Sequence, residues 1–250
     1  FAQKKYNEAP MLAELVKQGK LPPVEQRLPK NPMIMPLYFQ KEIGKYGGTL
    51  KLVQVGWRAD LSFAVAERFV TADPMLSNNF IPEILESFDV SSDSKIFTFR
   101  IREGLKWSDG EPVTTEDVLF TWEDVLLNKQ LTPVFPPDLT VSGEIPALEI
   151  VDKYTFKIKF PKPYGTFLER LSIWHNGGDY SGLFLLPKHY LKQFHPKYTP
   201  QSKLEALLKE EKYEKDELWK LFNRKVDGTR PWSNEPDIGA PGLYPWIAEK

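Results

Sequence analysis

The sequence predicts an α/β fold, a mixed sheet with flanking helices. Three stretches carry that prediction. Residues 96–125 read as strand, turn, short extended piece and capped helix. Residues 147–160 read as two strands joined at Asp152-Lys153. Between 165 and 222 the hydrophobic spacing turns helical, broken by polar loops.

Taken in order, residues 10–17 form a short amphipathic helix, with Pro10 in its first turn and Gly19 just past its end. Pro22, Pro23, Pro29 and Pro32 follow, so this segment is neither a long helix nor a central strand. Residues 1–48 therefore read as a wrapping arm laid across a surface, burying Met33, Ile34 and Met35. Gly47-Gly48 turns the chain into a strand at 49–55. Residues 61–69 read as a short helix, Asp73-Pro74 as a turn, and 81–90 as a short helix running into a strand.

The pattern is clearest next. Phe97, Phe99 and Ile101 alternate with Thr98, Arg100 and Arg102, the period of a half-buried strand. Ser108-Asp109-Gly110 makes a tight turn, because Gly accepts positive φ and Asp bonds its downstream backbone. Thr114 and Asp117 have capping-box spacing, and Val118, Trp122 and Val125 form the buried stripe of the helix that follows. Trp107 reads as core. Residues 129–147 are a Pro-rich loop. Tyr154, Phe156, Ile158 and Phe160 alternate with Thr155, Lys157 and Lys159, one arm of a hairpin packed on one face. A helix at 165–174 carries Phe167, Leu168 and Leu171. A polar loop spans 175–180, a buried strand 183–187, and a new helix starts at Pro187-Lys188-His189. Ser202 and Glu205 suggest a second capping box, opening a charged helix to about residue 222. Residues 242–250 read as the start of a strand.

Composition narrows the function classes. The 250 residues carry a formal net charge of -1, which leaves no basic footprint and speaks against nucleic acid as a partner. The absence of Cys excludes disulfides, thiolate metal sites and a cysteine nucleophile. No run of about 18 apolar residues offers a membrane span. Nothing calls for a cofactor: there are 3 His, and His175, His189 and His195 lack a recognised zinc spacing. No nucleotide-binding glycine loop or nucleophile elbow occurs.

The ordered motifs are similar to those of the family 5 extracellular solute-binding proteins, receptors of peptide-, nickel- and oligosaccharide-type ABC importers. Arg102-Glu103-Gly104, Trp107, Asp109-Gly110 and Thr114-Thr115-Glu116-Asp117-Val118 resemble the family signature. Gly47-Gly48-Thr49-Leu50 resembles its opening strand, Pro82-Glu83-Ile84-Leu85-Glu86-Ser87-Phe88 its P-x-L-A-E-S-W segment, and Pro187-Lys188-His189 its P-K-H motif. Two departures stand out. Family members are longer than this chain, and Gly242-Leu243-Tyr244-Pro245-Trp246 replaces a G-T-G-P-Y-type strand. The resemblance implies a type II periplasmic-binding-protein-like fold, with residues 49–250 as the N-terminal lobe, 61–165 a smaller subdomain within it, and the chain cut before the second lobe.

It further implies a non-enzymatic, extracytoplasmic binder, in the periplasm or on the outer face of the cell membrane. Such a binder closes two lobes on a peptide or oligosaccharide and delivers it to ABC permease subunits. Two loop clusters are candidates for the ligand wall. Gln54, Trp57 and Arg58 follow the first strand; Trp174, His175, Asn176, Asp179 and Tyr180 combine aromatics with amides and a carboxylate. The alternatives are that Trp57 packs inside the lobe and that 175–180 is a solvated loop turned by Gly177-Gly178. Two other functions stay open: an interaction or chaperone scaffold on the same fold, and a glycan hydrolase built on paired carboxylates.

Overall fold

A computed structural model describes residues 6–34, 44–47, 68–73, 79–172, 184–229 and 237–243. In chain order they form helix α1 (Pro10–Lys17), the single turn α2 (Val24–Arg27) and strands β1 (Val70–Ala72), β2 (Phe80–Pro82), β3 (Leu85–Val90) and β4 (Ile96–Ile101). Helix α3 (Thr115–Leu119) passes into a π-helical stretch, Phe120–Leu126. Strands β5 (Ala147–Ile150) and β6 (Thr155–Lys159) follow, then helices α4 (Phe167–Ser172), α5 (Lys188–Leu191), α6 (Gln201–Glu210) and α7 (Leu218–Gly228).

Strand order is β3-β4-β6-β5, every pair antiparallel, with β1 and β2 forming a separate pair. The alternation read from the sequence sets the register. Phe99 lies opposite Phe88 on one side and Phe156 on the other, and Phe97 opposite Val90 and Ile158. Phe97, Phe99, Ile101, Phe156 and Ile158 are all buried on one face. The other face carries the cross-strand pairs Arg100–Glu86 at 3.3 Å and Lys157–Glu149 at 3.4 Å. Exposed pairs of this kind contribute at most about 1 kcal/mol each. Helix α4 lies over the apolar face. Phe167 meets Phe97 and Phe160 edge-on, both at 4.8 Å between ring centroids. That geometry adds about 0.5–1.5 kcal/mol per pair beyond the area buried.

The Thr114 capping box forms as its spacing predicts. The Thr114 hydroxyl accepts from the Glu116 N–H at 3.3 Å, and the Asp117 carboxylate accepts from the Thr114 N–H at 3.0 Å. Val118, Trp122 and Val125 are buried as expected, although only five residues of their helix are α. In the wider π turn the Leu127 N–H reaches back five residues to Trp122. Hydroxyls cover neighbouring carbonyls: Thr121 donates to the Asp117 carbonyl at 2.7 Å, and Thr132 to that of Val125 at 2.8 Å.

The segment after α2 crosses the turn that follows β4. The Lys30 N–H donates to the Glu103 carbonyl at 2.8 Å. Arg102 donates to the carbonyls of Asn31 and Glu83, each at 2.7 Å, and of Pro82 at 3.1 Å. Gly104 adopts φ +83°, a backbone conformation that favours glycine, where the Lys30 backbone passes in ordinary contact distance.

Five expectations need correction. Ile34 is 65% exposed rather than buried under the arm. Residues 81–90 contain no helix, because the N–H groups of Glu83 and Ile84 donate across the chain to Phe69 and Arg68. Residues 184–187 are buried but pair in no strand; the Leu186 N–H goes to the Thr121 hydroxyl instead. No side chain caps α6. Pro200 precedes it, and the Lys203 and Leu204 N–H groups turn to the Pro200 carbonyl, so the helix begins before Ser202 could cap it. That helix also stops at Glu210: Lys212 adopts φ +62°, and helix resumes only at Leu218. The strand at 49–55, the helical reading of 61–67, Met35 and residues 244–250 lie outside the described residues.

Trp107 is 4% exposed and packs in the main core. Trp107→Ala is expected to lower stability by about 3–5 kcal/mol in urea denaturation. A change below about 1 kcal/mol would show that the ring is dispensable to the core.

Candidate ligand-binding site

Gln54, Trp57, Arg58, Trp174, His175, Asn176, Asp179 and Tyr180 all lie outside the described residues. The structure does describe the places where their segments join the core. Phe69 lies eleven residues beyond Arg58 and Phe184 four beyond Tyr180, and both rings are buried. The two rings touch, with centroids 5.8 Å apart. Phe69 stacks on Phe99 of the sheet, and Phe184 on Trp122 of the π-helical stretch. Phe167 of α4, whose last residue Ser172 leads into the second segment, lies 6.3 Å from Phe184. The chain thus enters or leaves both candidate segments at one corner of the core.

A buried polar joint fixes the stretch after Phe184. The Asp117 carboxylate is 4% exposed. One of its oxygens accepts from the Thr114 N–H and, at a long 3.5 Å, from the Trp107 indole. The other accepts from the Lys188 N–H at 3.1 Å. Thr121, fully buried, accepts from the Leu186 N–H at 2.9 Å while donating to the Asp117 carbonyl. Outside this joint Lys188 Nζ meets Glu116 at 2.6 Å. Burial pushes the Asp117 carboxyl up, and the hydrogen bonds it accepts from Thr114, Lys188 and Trp107 offset this only in part. Burial acts to lower the Lys188 ammonium, but Glu116 outweighs it and holds the group above its ordinary value.

The two described histidines are separately engaged. His189 Nε2 lies 2.7 Å from an Asp109 oxygen, and His195 is buried against the Asp124 carbonyl at 3.0 Å. No group of three or more His, Asp or Glu among the described residues is arranged to hold a metal ion. The candidate list omitted the anchoring residues Phe69, Phe184, Thr121 and Asp117. Only Asp117 had a local signal, its capping-box position; the rest are assembled by tertiary packing.

The model of the bacterial extracellular solute-binding proteins, family 5 (middle region), matches residues 79–234. The chain belongs to this family. Among its relatives, the periplasmic alpha-galactoside-binding protein of Rhizobium meliloti (strain 1021) is 31% identical over 228 residues, 79% of this chain and 31% of the relative. The periplasmic oligopeptide-binding protein OppA of Salmonella typhimurium is 26% identical over 131 residues, 47% of this chain and 23% of the relative. A solved structure of an oligopeptide-binding protein OppA superposes with a TM-score of 0.79 at 35% identity, over 98% of this chain and 36% of that one. The periplasmic binding protein MelB from Agrobacterium fabrum C58, solved in complex with stachyose, gives a TM-score of 0.68 at 24% identity, again over 98% and 36%, and bears on the fold alone. The fold of this family 5 chain is that of the type II periplasmic binding proteins. The chain spans about a third of the length of the galactoside-binding relative and of these two solved proteins.

Thr121→Val keeps the shape of the joint and removes its hydroxyl, leaving the buried Leu186 N–H without an acceptor. A loss of about 1–3 kcal/mol in chemical denaturation is expected. An unchanged midpoint would mean that the 184–188 stretch is held by other contacts.

Proposed function

We propose that this chain contributes one wall of a ligand cleft in the substrate-binding component of an ABC importer. That component works outside the cytoplasm, in the periplasm or on the outer face of the cell membrane. It captures a peptide- or oligosaccharide-type solute and delivers it to the permease subunits, without chemistry on the ligand. The observation that carries the reading is the convergence at Phe69 and Phe184. Two segments rich in polar and aromatic residues spring from one rigid, stacked corner. Rigid anchors under loops are how a scaffold holds binding residues in place.

In this reading residues 1–48 are an arm around a lobe formed by 49–250, with 61–165 a smaller subdomain. Trp57, Trp174 and Tyr180 offer apolar faces to a ligand. Gln54, Arg58, His175, Asn176 and Asp179 offer directional polar groups to its hydroxyls or amides. The relatives support both ligand classes: one is named for alpha-galactosides and two for oligopeptides. Ligand binding then favours a closed form over an open one by its difference in affinity for the two.

Thermal-shift measurements on the intact protein with galactosides and with oligopeptides test this. A true ligand at about a hundred times its Kd stabilises the protein by about 2.7 kcal/mol. Trp174→Ala and Asp179→Ala are expected to weaken that ligand at least tenfold while leaving the unliganded melting point in place. Stabilisation by a partner protein but by no solute would favour the scaffold reading, and turnover of a glycan would favour the hydrolase.

A further inference from the structure

Residues 237–243 form no helix or strand, yet both ends of this stretch are fastened to distant parts of the chain. At one end Asp237 lies against the last turn of α7, where its N–H donates to the Gly228 carbonyl at 2.9 Å. Its carboxylate accepts from Arg224 at 2.5 Å and from the Tyr190 hydroxyl of α5 at 3.2 Å, and Lys225 Nζ stands 3.5 Å away. Lys225 is 8% exposed and also meets Glu211 at 2.6 Å, so this is a partly sheltered charge cluster rather than an exposed pair. Gly228 makes the seat. A Cβ there would stand 2.6 Å from the Asp237 Oδ2 and 2.9 Å from its Cγ, so a larger residue would crowd the carboxylate away from its donors.

At the other end the Gly242 N–H donates to the Ser108 hydroxyl at 3.1 Å, and the Gly242 carbonyl accepts from the Ser108 N–H at 3.0 Å. Pro241 and Gly242 are buried, and Leu243 packs against the main core. Between the two ends the Ala240 N–H donates back to the Asp237 carbonyl at 3.0 Å, closing a tight turn with Gly239 at φ +82° in its third position.

We propose that residues 237–243 are a strap that seats and lifts as one unit, with Asp237 as its clip and Ser108 as its far anchor, locking α5 and α7 to the Trp107 turn. The turn between the anchors makes them act together. Asp237 receives the side chains of α5 and α7 and, through its own carbonyl, closes the turn that aims Gly242 at Ser108. Displacing Asp237 therefore moves the acceptor of the turn along with the ion pairs. Pro241 fixes its own φ and restricts Ala240, which leaves little slack between the turn and Gly242. The strap also spans two clusters of buried residues. Leu191 of α5 and Phe222 of α7 belong to one, and Leu243 packs on the other.

Hydrogen exchange on the intact protein tests this with a substitution at either end. Asp237→Ala removes the clip and leaves Ser108 in place; Ser108→Ala removes the hydroxyl that Gly242 uses and leaves Asp237 in place. Sites that share no partner ordinarily act independently. The strap predicts coupling in both directions. Asp237→Ala lowers protection of the Ser108 and Gly242 amides by about tenfold or more, and Ser108→Ala lowers that of the Asp237 and Ala240 amides by about fivefold. Gly228→Ala, which crowds the carboxylate off its seat, reproduces Asp237→Ala, and the amides of β4 keep their protection in all three. In the double variant Asp237→Ala/Ser108→Ala the losses do not multiply. Effects confined to the substituted end, or losses that multiply in the double variant, would overturn the proposal. Should Asp237→Ala not fold, Ser108→Ala alone decides, through the Asp237 and Ala240 amides.

Discussion

Asp117 accepts hydrogen bonds from three parts of the chain: its own cap at Thr114, the indole of Trp107 in the preceding turn, and Lys188 some seventy residues later. A carboxylate taken out of water is costly unless its lone pairs are satisfied, and the three donors together offset part of that cost. The arrangement therefore works as a register pin. It fixes where α3 begins, which way the Trp107 turn faces, and where α5 starts. Thr121, one helical turn on, repeats the logic with a neutral hydroxyl that joins the same helix to Leu186.

This pin acts alongside a chain of aromatic contacts. Phe156 and Phe99 lie on neighbouring strands, Phe69 stacks on Phe99, Phe184 meets Phe69, and Trp122 stacks on Phe184. The four-stranded sheet is thus coupled to the π-helical stretch through rings that have little freedom in a packed interior. Both segments with ligand-binding candidates attach to this line. In the proposed reading this stacked corner is the support on which one wall of the cleft rests.

The sheet was legible because strand faces follow from alternation alone: Phe97, Phe99, Phe156 and Ile158 could be assigned inward without knowing their partners. The capping box at Thr114 was legible because it is local. The π-helical stretch was not, since Val118, Trp122 and Val125 give the same buried stripe whether the turn holds four residues or five. The supposed box at Ser202 misled because Pro200 opens the helix first. The supposed helix at 81–90 misled because its backbone donors are claimed by a distant strand start. In the candidate site, residue types such as Trp174 and Asp179 suggested polar ligand contact. The pairing of Phe69 with Phe184 carried no local pattern, because it exists only once the sheet and α4 have packed.

The central claim is that the two candidate segments form one ligand-facing wall because they share one anchor. Hydrogen exchange on the intact protein, with and without a bound solute found by screening, tests this most directly. The account predicts that ligand slows exchange in residues 54–68 and 173–183 together, with similar dependence on ligand concentration, while β4 and β6 are unaffected. Protection of one segment without the other, or of neither, would contradict it.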